Sequence, residues 1–290
     1  MTLTQSNALK RIQTHGEVPT LPEIMIRVLD VLEDEHSSAD DITAILSSDP
    51  VITARVLRLA NSAFFGSRFQ IDSIHRAVVT VGFEAVKQLT LATTVLQSFS
   101  RCPQHCLDPN DFWMHALGSA KAAQLVAFST RQISMPEACF TGGLLHDLGK
   151  LMLSISLGEE YGEVLRRAGE EHCNLRMMEQ RMLQTDHAEV GGWLMQQWGF
   201  PALIVSAIQH AYTAELYTGP FHKEVLIVSI ASDMARQSGF GHAGETTEPA
   251  LNFDRIGALG LEISQVEEIC ETLAIMKDDA RTLLGLFQQA

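Results

Sequence analysis

The sequence predicts an all-α protein, and two observations carry that reading. Apolar residues recur at helical spacing along most of the chain, with almost no strict alternation. Glycine and proline fall at the ends of these segments rather than at regular hairpin spacing. At 290 residues, 46% hydrophobic and 19% charged, the chain is long enough for one large domain or two modest ones with cores.

Taken in order, Pro22 opens a segment carrying Ile24, Val28, Val31 and Leu32. Asp49-Pro50 joins an N-cap to a proline at the first helical position, where the missing N–H has no intrahelical partner to lose, and Ile52, Val56 and Leu59 follow. Ser73 caps a short helix through Val81, Gly82 ends it, and Val86, Leu89, Thr93 and Leu96 mark a longer one. These segments make a helical N-terminal bundle, residues 1–105. The stretch SRCPQHCLDPN at 100–110 has two prolines, two cysteines and no apolar period, so it reads as a linker to a second helical bundle, 106–290. There the spacing predicts helices over 111–128, 136–156, 187–198, 201–214 and 221–237. GFGHAGETTEP at 239–249 reads as a mobile surface loop. Ser264 and Glu267 have capping-box spacing at the head of a long closing helix that carries Val266, Ile269, Leu273, Ala280 and Leu284. No repeat at a period of about 20 to 50 residues and no low-complexity tract is present.

Composition narrows the function classes. Five cysteines, at 102, 106, 139, 173 and 270, are an odd and scattered set that fits reduced thiols better than a disulfide framework. Cys102, His105 and Cys106 lack a second ligand pair at zinc-site spacing and read as part of the polar linker. No run of about 18 uncharged apolar residues exists for a spanning helix. The first eleven residues lack the charged head and apolar stretch of a secretory leader, so the expected location is the cytoplasm. The formal charge is −14, with 9 basic and 11 acidic residues before position 105 against 12 and 24 after it. Such a C-terminal half repels phosphate backbones and anionic lipids, so neither nucleic acid nor a membrane is expected as partner. Arg55 and Arg58 on one predicted helix read as a solvated face.

The chemistry concentrates in GGLLHDLGK at 142–150, where His146 and Asp147 interrupt an otherwise apolar predicted helix. A carboxylate buried beside an imidazole needs compensation, from a divalent cation bound by both or from an Asp–His hydrogen bond. His115 lies beside the apolar face of Trp113, Leu117 and Ala120, where a satisfied core histidine is the plain alternative to a ligand. His187 follows Asp186 at a helix start, where capping alone explains polarity. His210 ends IVSAIQH, where it complements the helix dipole. Asp233 follows eight uncharged residues and demands a partner.

In order and helical context these residues resemble the HD superfamily of metal-dependent phosphohydrolases. LPEI at 21–24, SSDPVITARVLRLANSAFFG at 47–66 and IDSIHRAVVTVGFEAVKQL at 71–89 narrow the resemblance to the HDOD family. It implies a helical N-terminal part joined to an HD-type helical domain, and a role as a signalling output or regulatory module in bacteria; many members have degenerate metal sites, so membership alone does not imply catalysis. Carried over by position, His115 matches the first histidine, and His146 and Asp147 the signature doublet, with Asp147 placed to bridge two ions if two bind. His187 and His210 match the additional histidines of two-metal members, and Asp233 the closing aspartate. Asp111 stands where related cyclic-dinucleotide phosphodiesterases have a glutamate, or serves as a helix cap. The implied cofactor is one or two divalent ions, iron or manganese ahead of zinc or nickel. In an active member, a metal-bound water beside Asp147 attacks phosphorus in line while Lys150 holds a phosphate oxygen; the other reading of Lys150 is a solvated lysine.

Departures from the pattern count as well. HD-GYP phosphodiesterases, which cleave cyclic di-GMP, have a His-His pair followed by a Gly-Tyr-Pro loop; here Gln209 precedes His210 and AYTAELYTGPFH follows. That demotes cyclic di-GMP as substrate. The adjacent aromatics of NSAFFG at 61–66 read as core residues or as a partner-docking patch, and His172 as a surface residue. The leading expectation is a regulatory HDOD protein with a metal-binding pocket, acting through a signalling protein partner or a nucleotide-like ligand. A working phosphohydrolase or phosphodiesterase on a nucleotide-like substrate is the alternative, and a metal-free helical scaffold the third.

Overall fold

The computed structural model describes residues 8–15, 18–19, 23–34, 36–62, 64, 70–100, 106–130 and 136–288. The fold is all-α, with no strand among the described residues. The first six helices are α1 (Ala8–His15), α2 (Glu23–Glu33), α3 (Ala39–Ser47), α4 (Pro50–Asn61), α5 (Ile74–Val81) and α6 (Phe83–Ser100). Then come α7 (Pro109–Thr130), α8 (Pro136–Leu145), α9 (Leu148–Leu157), α10 (Glu159–Glu170), α11 (Leu175–Leu183), α12 (His187–Gln197) and α13 (Ala202–His210). A 3-10 turn (Ala211–Leu216), α14 (His222–Gln237), α15 (Phe253–Ala258) and α16 (Ile263–Gln288) complete the chain. No helix among the described residues is long and apolar enough to cross a membrane.

Caps set several boundaries where the sequence predicts them. The Asp49 carboxylate accepts from the N–H groups of Val51 and Ile52 ahead of Pro50, and Ser73 Oγ from that of Arg76. Asp186 accepts from the Glu189 N–H and so starts α12. Asn61 holds the end of α4 to the chain before α5, its side chain accepting from the Ile71 N–H and donating to the Ile71 carbonyl.

Three differences from the predicted elements have local causes. The helix over 136–156 is two, α8 and α9, broken at His146-Asp147. His146 turns back so that Nδ1 meets the Gly143 carbonyl at 2.7 Å, one of the last carbonyls of α8 with no helical partner. The loop at 239–249 is anchored rather than free. Phe240 and Ala243 are buried, the Asp111 carboxylate accepts from the N–H groups of His242 and Ala243, and Glu245 accepts from those of Leu175, Thr246 and Thr247. Asp111 is therefore a loop anchor, while Asp108 receives the Asp111 N–H at the start of α7. The closing helix begins at Ile263, ahead of Ser264, and the Glu262 N–H donates to Gln265 Oε1. Helices α1, α3, α10, α11 and α15 have no counterpart in the prediction.

α7 is the spine. Every residue from Phe112 to Ala120 is buried, as a helix enclosed by α8, α14 and α16 requires, and farther along Ala122, Ala123, Val126 and Ala127 keep one face in the core. One contiguous apolar core runs from Ala8 to Leu284, and α6 packs on α8 with Thr141 donating to Gln88 across the contact. Phe64 is fully buried in that core; Phe65 and Gly66 lie outside the described residues, as do Leu21, Pro22, Cys102 and His105. Cys106 donates its thiol to the Gly158 carbonyl.

Candidate metal centre

The break between α8 and α9 delivers the doublet to the molecule's centre. Asp147 takes φ −101°, ψ 5° and is 1% exposed. Around it stand His115 from α7, His146, Lys150 from the first turn of α9, His187 from the first turn of α12, and Tyr212 from the 3-10 turn. Gly149 allows the approach of α9 to α12: a Cβ there would lie 1.8 Å from the His187 carbonyl oxygen.

The Nε2 atoms of His115 and His146 lie 3.6 and 3.5 Å from Asp147 Oδ2, and the ligand atoms of these three residues fall within 4.8 Å of one another. A carbonyl only accepts, so His146 carries its proton on Nδ1 and turns the Nε2 lone pair inward. Ser232 Oγ on α14 sits 3.2 Å from Nε2 of both rings. One hydroxyl proton cannot serve two imidazole acceptors at once; Ser119 Oγ, 3.5 Å from His115 Nε2, is a second hydroxyl beside that ring. Burial holds both imidazoles below the usual histidine range, against the pull of Asp147.

His187 is fixed in the same manner from the other side. Its Nδ1 lies 2.6 Å from Glu179 Oε2, which also receives the His187 backbone N–H, while Glu179 Oε1 accepts from Tyr161. The carboxylate sets the Nδ1–H tautomer and leaves Nε2 buried with no hydrogen-bond partner among the described residues, 3.7 Å from Asp147 Oδ1. Tyr212 donates to that same Oδ1 at 2.7 Å and sets its ring edge-on to His187. The other oxygen, Oδ2, receives the Lys150 ammonium at 2.7 Å. Burial alone would push the Asp147 carboxyl up; the facing His146 and Lys150 outweigh it and hold the group well below the ordinary carboxylate range. Lys150 is 1% exposed, which overturns the reading of a solvated lysine.

His115, His146, Asp147 and His187 are thus brought together, with Lys150 beside them. His210 is not: it lies half-buried against the Tyr217 ring at 4.8 Å. Asp233 lines the adjoining cavity, about 200 Å³, together with Lys150, Arg236, Glu245 and Arg255, and its nearest ion-pair contact is Arg236 at 3.8 Å. The α14 residue that reaches the two histidines is Ser232, one position earlier. Sequence reasoning missed Ser232, Glu179 and Tyr212. Glu179 carried a signal: with Leu175 and Leu183 it marks a four-residue spacing that puts it on the buried face of α11.

The donor set fits a divalent ion. Two inward Nε2 atoms and one carboxylate oxygen converge in a buried pocket, and a third imidazole nitrogen is left without a partner. The HDOD domain family profile matches residues 18–214, two thirds of the chain. The chain belongs to the HDOD family. Among solved structures, an HDOD domain protein of Geobacter sulfurreducens is 26% identical, with 95% of each chain covered and a TM-score of 0.81. A candidate phosphohydrolase of Shewanella amazonensis SB2B is 27% identical, with 98% of each chain covered and a TM-score of 0.75. An uncharacterised protein of Treponema pallidum is 26% identical over 196 residues, 67% of this HDOD chain, which spans 37% of that relative's length.

The cavity gives the HDOD pocket a pH dependence. Burial pushes the Asp233 carboxyl up to about 6, with Arg236 and Arg255 drawing it down and Glu245 adding to the rise. The folded chain then keeps a proton that the unfolded chain releases near 3.8, so stability falls as pH rises from there through 6. In chelator, Asp233→Asn is expected to remove about 2 to 3 kcal/mol of that fall. Thermal melts should show the variant above wild type at neutral pH, and the two nearly equal at about pH 4.

Proposed function

We propose that this HDOD protein is a regulatory signalling protein whose central pocket holds a divalent cation through His115, His146 and Asp147. The observation that supports it is the convergence of those three ligand atoms within 4.8 Å in a fully buried setting. Imidazole and carboxylate donors suit iron, manganese, zinc or nickel. When bound, such an ion supplies a Lewis acid and a water of lowered pKa. The chain's own residues do the rest: Gly143 and Glu179 orient His146 and His187, and Tyr212 fixes one oxygen of Asp147.

Hydrolysis is the second reading. It is favoured by the unpartnered Nε2 of His187 facing Asp147, a second ligand or proton acceptor in position, and by the likeness to the Shewanella candidate phosphohydrolase. The size of the cavity favours regulation: about 200 Å³ is below the roughly 300 to 1,000 Å³ of small-molecule pockets. The acidic surface, −12 beyond residue 105, points to a signalling protein partner rather than nucleic acid.

The deciding experiment is metal content by plasma mass spectrometry on untagged protein, wild type beside His146→Gln. Near-stoichiometric iron, manganese, zinc or nickel in wild type and little in the variant is the expected result. Absence of metal after reconstitution with Mn2+ and Fe2+ would sink the proposal.

A further inference from the structure

The Lys150 ammonium is a cation already placed on the Asp147 oxygen that faces both His115 and His146. An ammonium and a divalent ion cannot share that position, because each would stand within a few ångströms of the other in a buried pocket where charges are poorly screened. Two features give the lysine a second place to go. Asp147 is its only hydrogen-bond partner among the described residues, so two of its three N–H donors are uncommitted. It also lines the cavity of about 200 Å³, which contains Asp233 and Glu245. Glu245 is engaged by Asn174, Leu175, Thr246 and Thr247. Among the described residues Asp233 has one ion-pair contact, Arg236 at 3.8 Å, with Arg255 also acting on it.

We propose that Lys150 is a tethered competitor of the metal: it neutralises Asp147 when no ion is bound, and ion binding drives its ammonium across the cavity to Asp233. Asp233 is then the receiving carboxylate for the displaced lysine, not a ligand. The device sets a threshold, because the ion must displace a resident charge before it binds, and anything that draws the lysine toward the cavity raises metal affinity. The inference rests on the metal-binding reading above.

Isothermal calorimetry with Mn2+ on the full chain tests it, using Lys150→Gln, Lys150→Arg, Asp233→Asn and the double variant of Lys150→Gln with Asp233→Asn. Circular dichroism confirms the fold of each. Lys150→Gln is expected to bind Mn2+ about ten-fold tighter than wild type and Lys150→Arg no tighter, since the arginine keeps the competing charge. Asp233→Asn is expected to weaken binding in the wild-type background and to change nothing once Lys150 is Gln, a coupling that a double-mutant cycle reads directly. Equal affinity in wild type and Lys150→Gln would overturn the proposal and leave the metal site standing. Equal weakening by Asp233→Asn in both backgrounds would make Asp233 a ligand and overturn its receiving role. No Mn2+ binding by any variant would overturn the metal reading together with this one.

Discussion

Gly149→Ala is expected to abolish the folded state. On an exposed helix the change would be favourable by about 1 kcal/mol, because alanine is the better helix former. Here the added Cβ would stand 1.8 Å from the His187 carbonyl oxygen, 2.7 Å from its carbon and 2.8 Å from the Gly191 nitrogen. All three are backbone atoms, so no rotamer change relieves the clash; α9 and α12 must separate. Separation uncovers apolar residues that α9 and α12 bury against the rest of the core, Leu151, Met152, Val190 and Leu194 among them, and it pulls His187 from Asp147. Overpacking by one methyl in a yielding core costs about 1 to 3 kcal/mol. Against unyielding backbone we expect more than about 4 kcal/mol, most of the stability of an ordinary domain. Soluble yield and thermal melting check this. Gly162→Ala is the control, since its Cβ meets nothing nearer than Cys106 Sγ at 3.4 Å. An unaltered melting temperature for Gly149→Ala would mean that the two helices are not packed as described.

The sequence made the helical class and the principal helices of the second half legible because amphipathic spacing and caps are local signals. Asp49, Ser73 and Asp186 each announce a helix start with a side chain that acts within three residues. Short polar helices were not legible. α10 reads EEYGEVLRRAGE, with Tyr161, Val164 and Ala168 buried in the core, Leu165 packed partly against it, and Glu163 paired to Arg166 and Arg167 on the outer face. Such a helix depends on the surface it packs against, which no local pattern contains. The loop at 239–249 has the composition of a free loop, yet Asp111, more than a hundred residues away, holds it by two backbone N–H groups.

At the site, the doublet and the histidines on α7 and α12 were legible because polar residues on apolar faces need compensation, and here they compensate one another. What escaped is orientation. His210 and Asp233 occupy the expected order along the chain, but a helical residue's direction turns by about 100° per position, and on α14 it is Ser232 that reaches the two Nε2 atoms, while Asp233 lines the cavity that His115 and Ser232 also line. Ser232 takes the inward position. Glu179 and Tyr212 meet the cluster only through tertiary packing, and each acts through another residue's atoms.

Asp147→Ala is the second large effect, and its cause is electrostatic. The carboxylate accepts from Tyr212 and Lys150 and faces three imidazoles, all buried. Its removal leaves a tyrosine hydroxyl without its acceptor and takes from the ammonium its hydrogen-bond partner among the described residues, so that the lysine must turn to Asp233, a carboxylate already facing Arg236. Breaking a buried ion pair on one side costs about 3 to 5 kcal/mol, whereas removing both partners is far milder. In chelator, Asp147→Ala should therefore melt well below wild type, and Asp147→Ala combined with Lys150→Met should recover much of the loss. The pH dependence has the opposite sign to that at Asp233. With its folded pKa held well below 3.8, Asp147 contributes stability that is present above that value and lost as pH falls beneath it. The gap between wild type and Asp147→Ala should accordingly be widest near neutrality and narrow in acid. Equal melting of the single and double variants would show that Lys150 finds a full substitute partner elsewhere in the pocket.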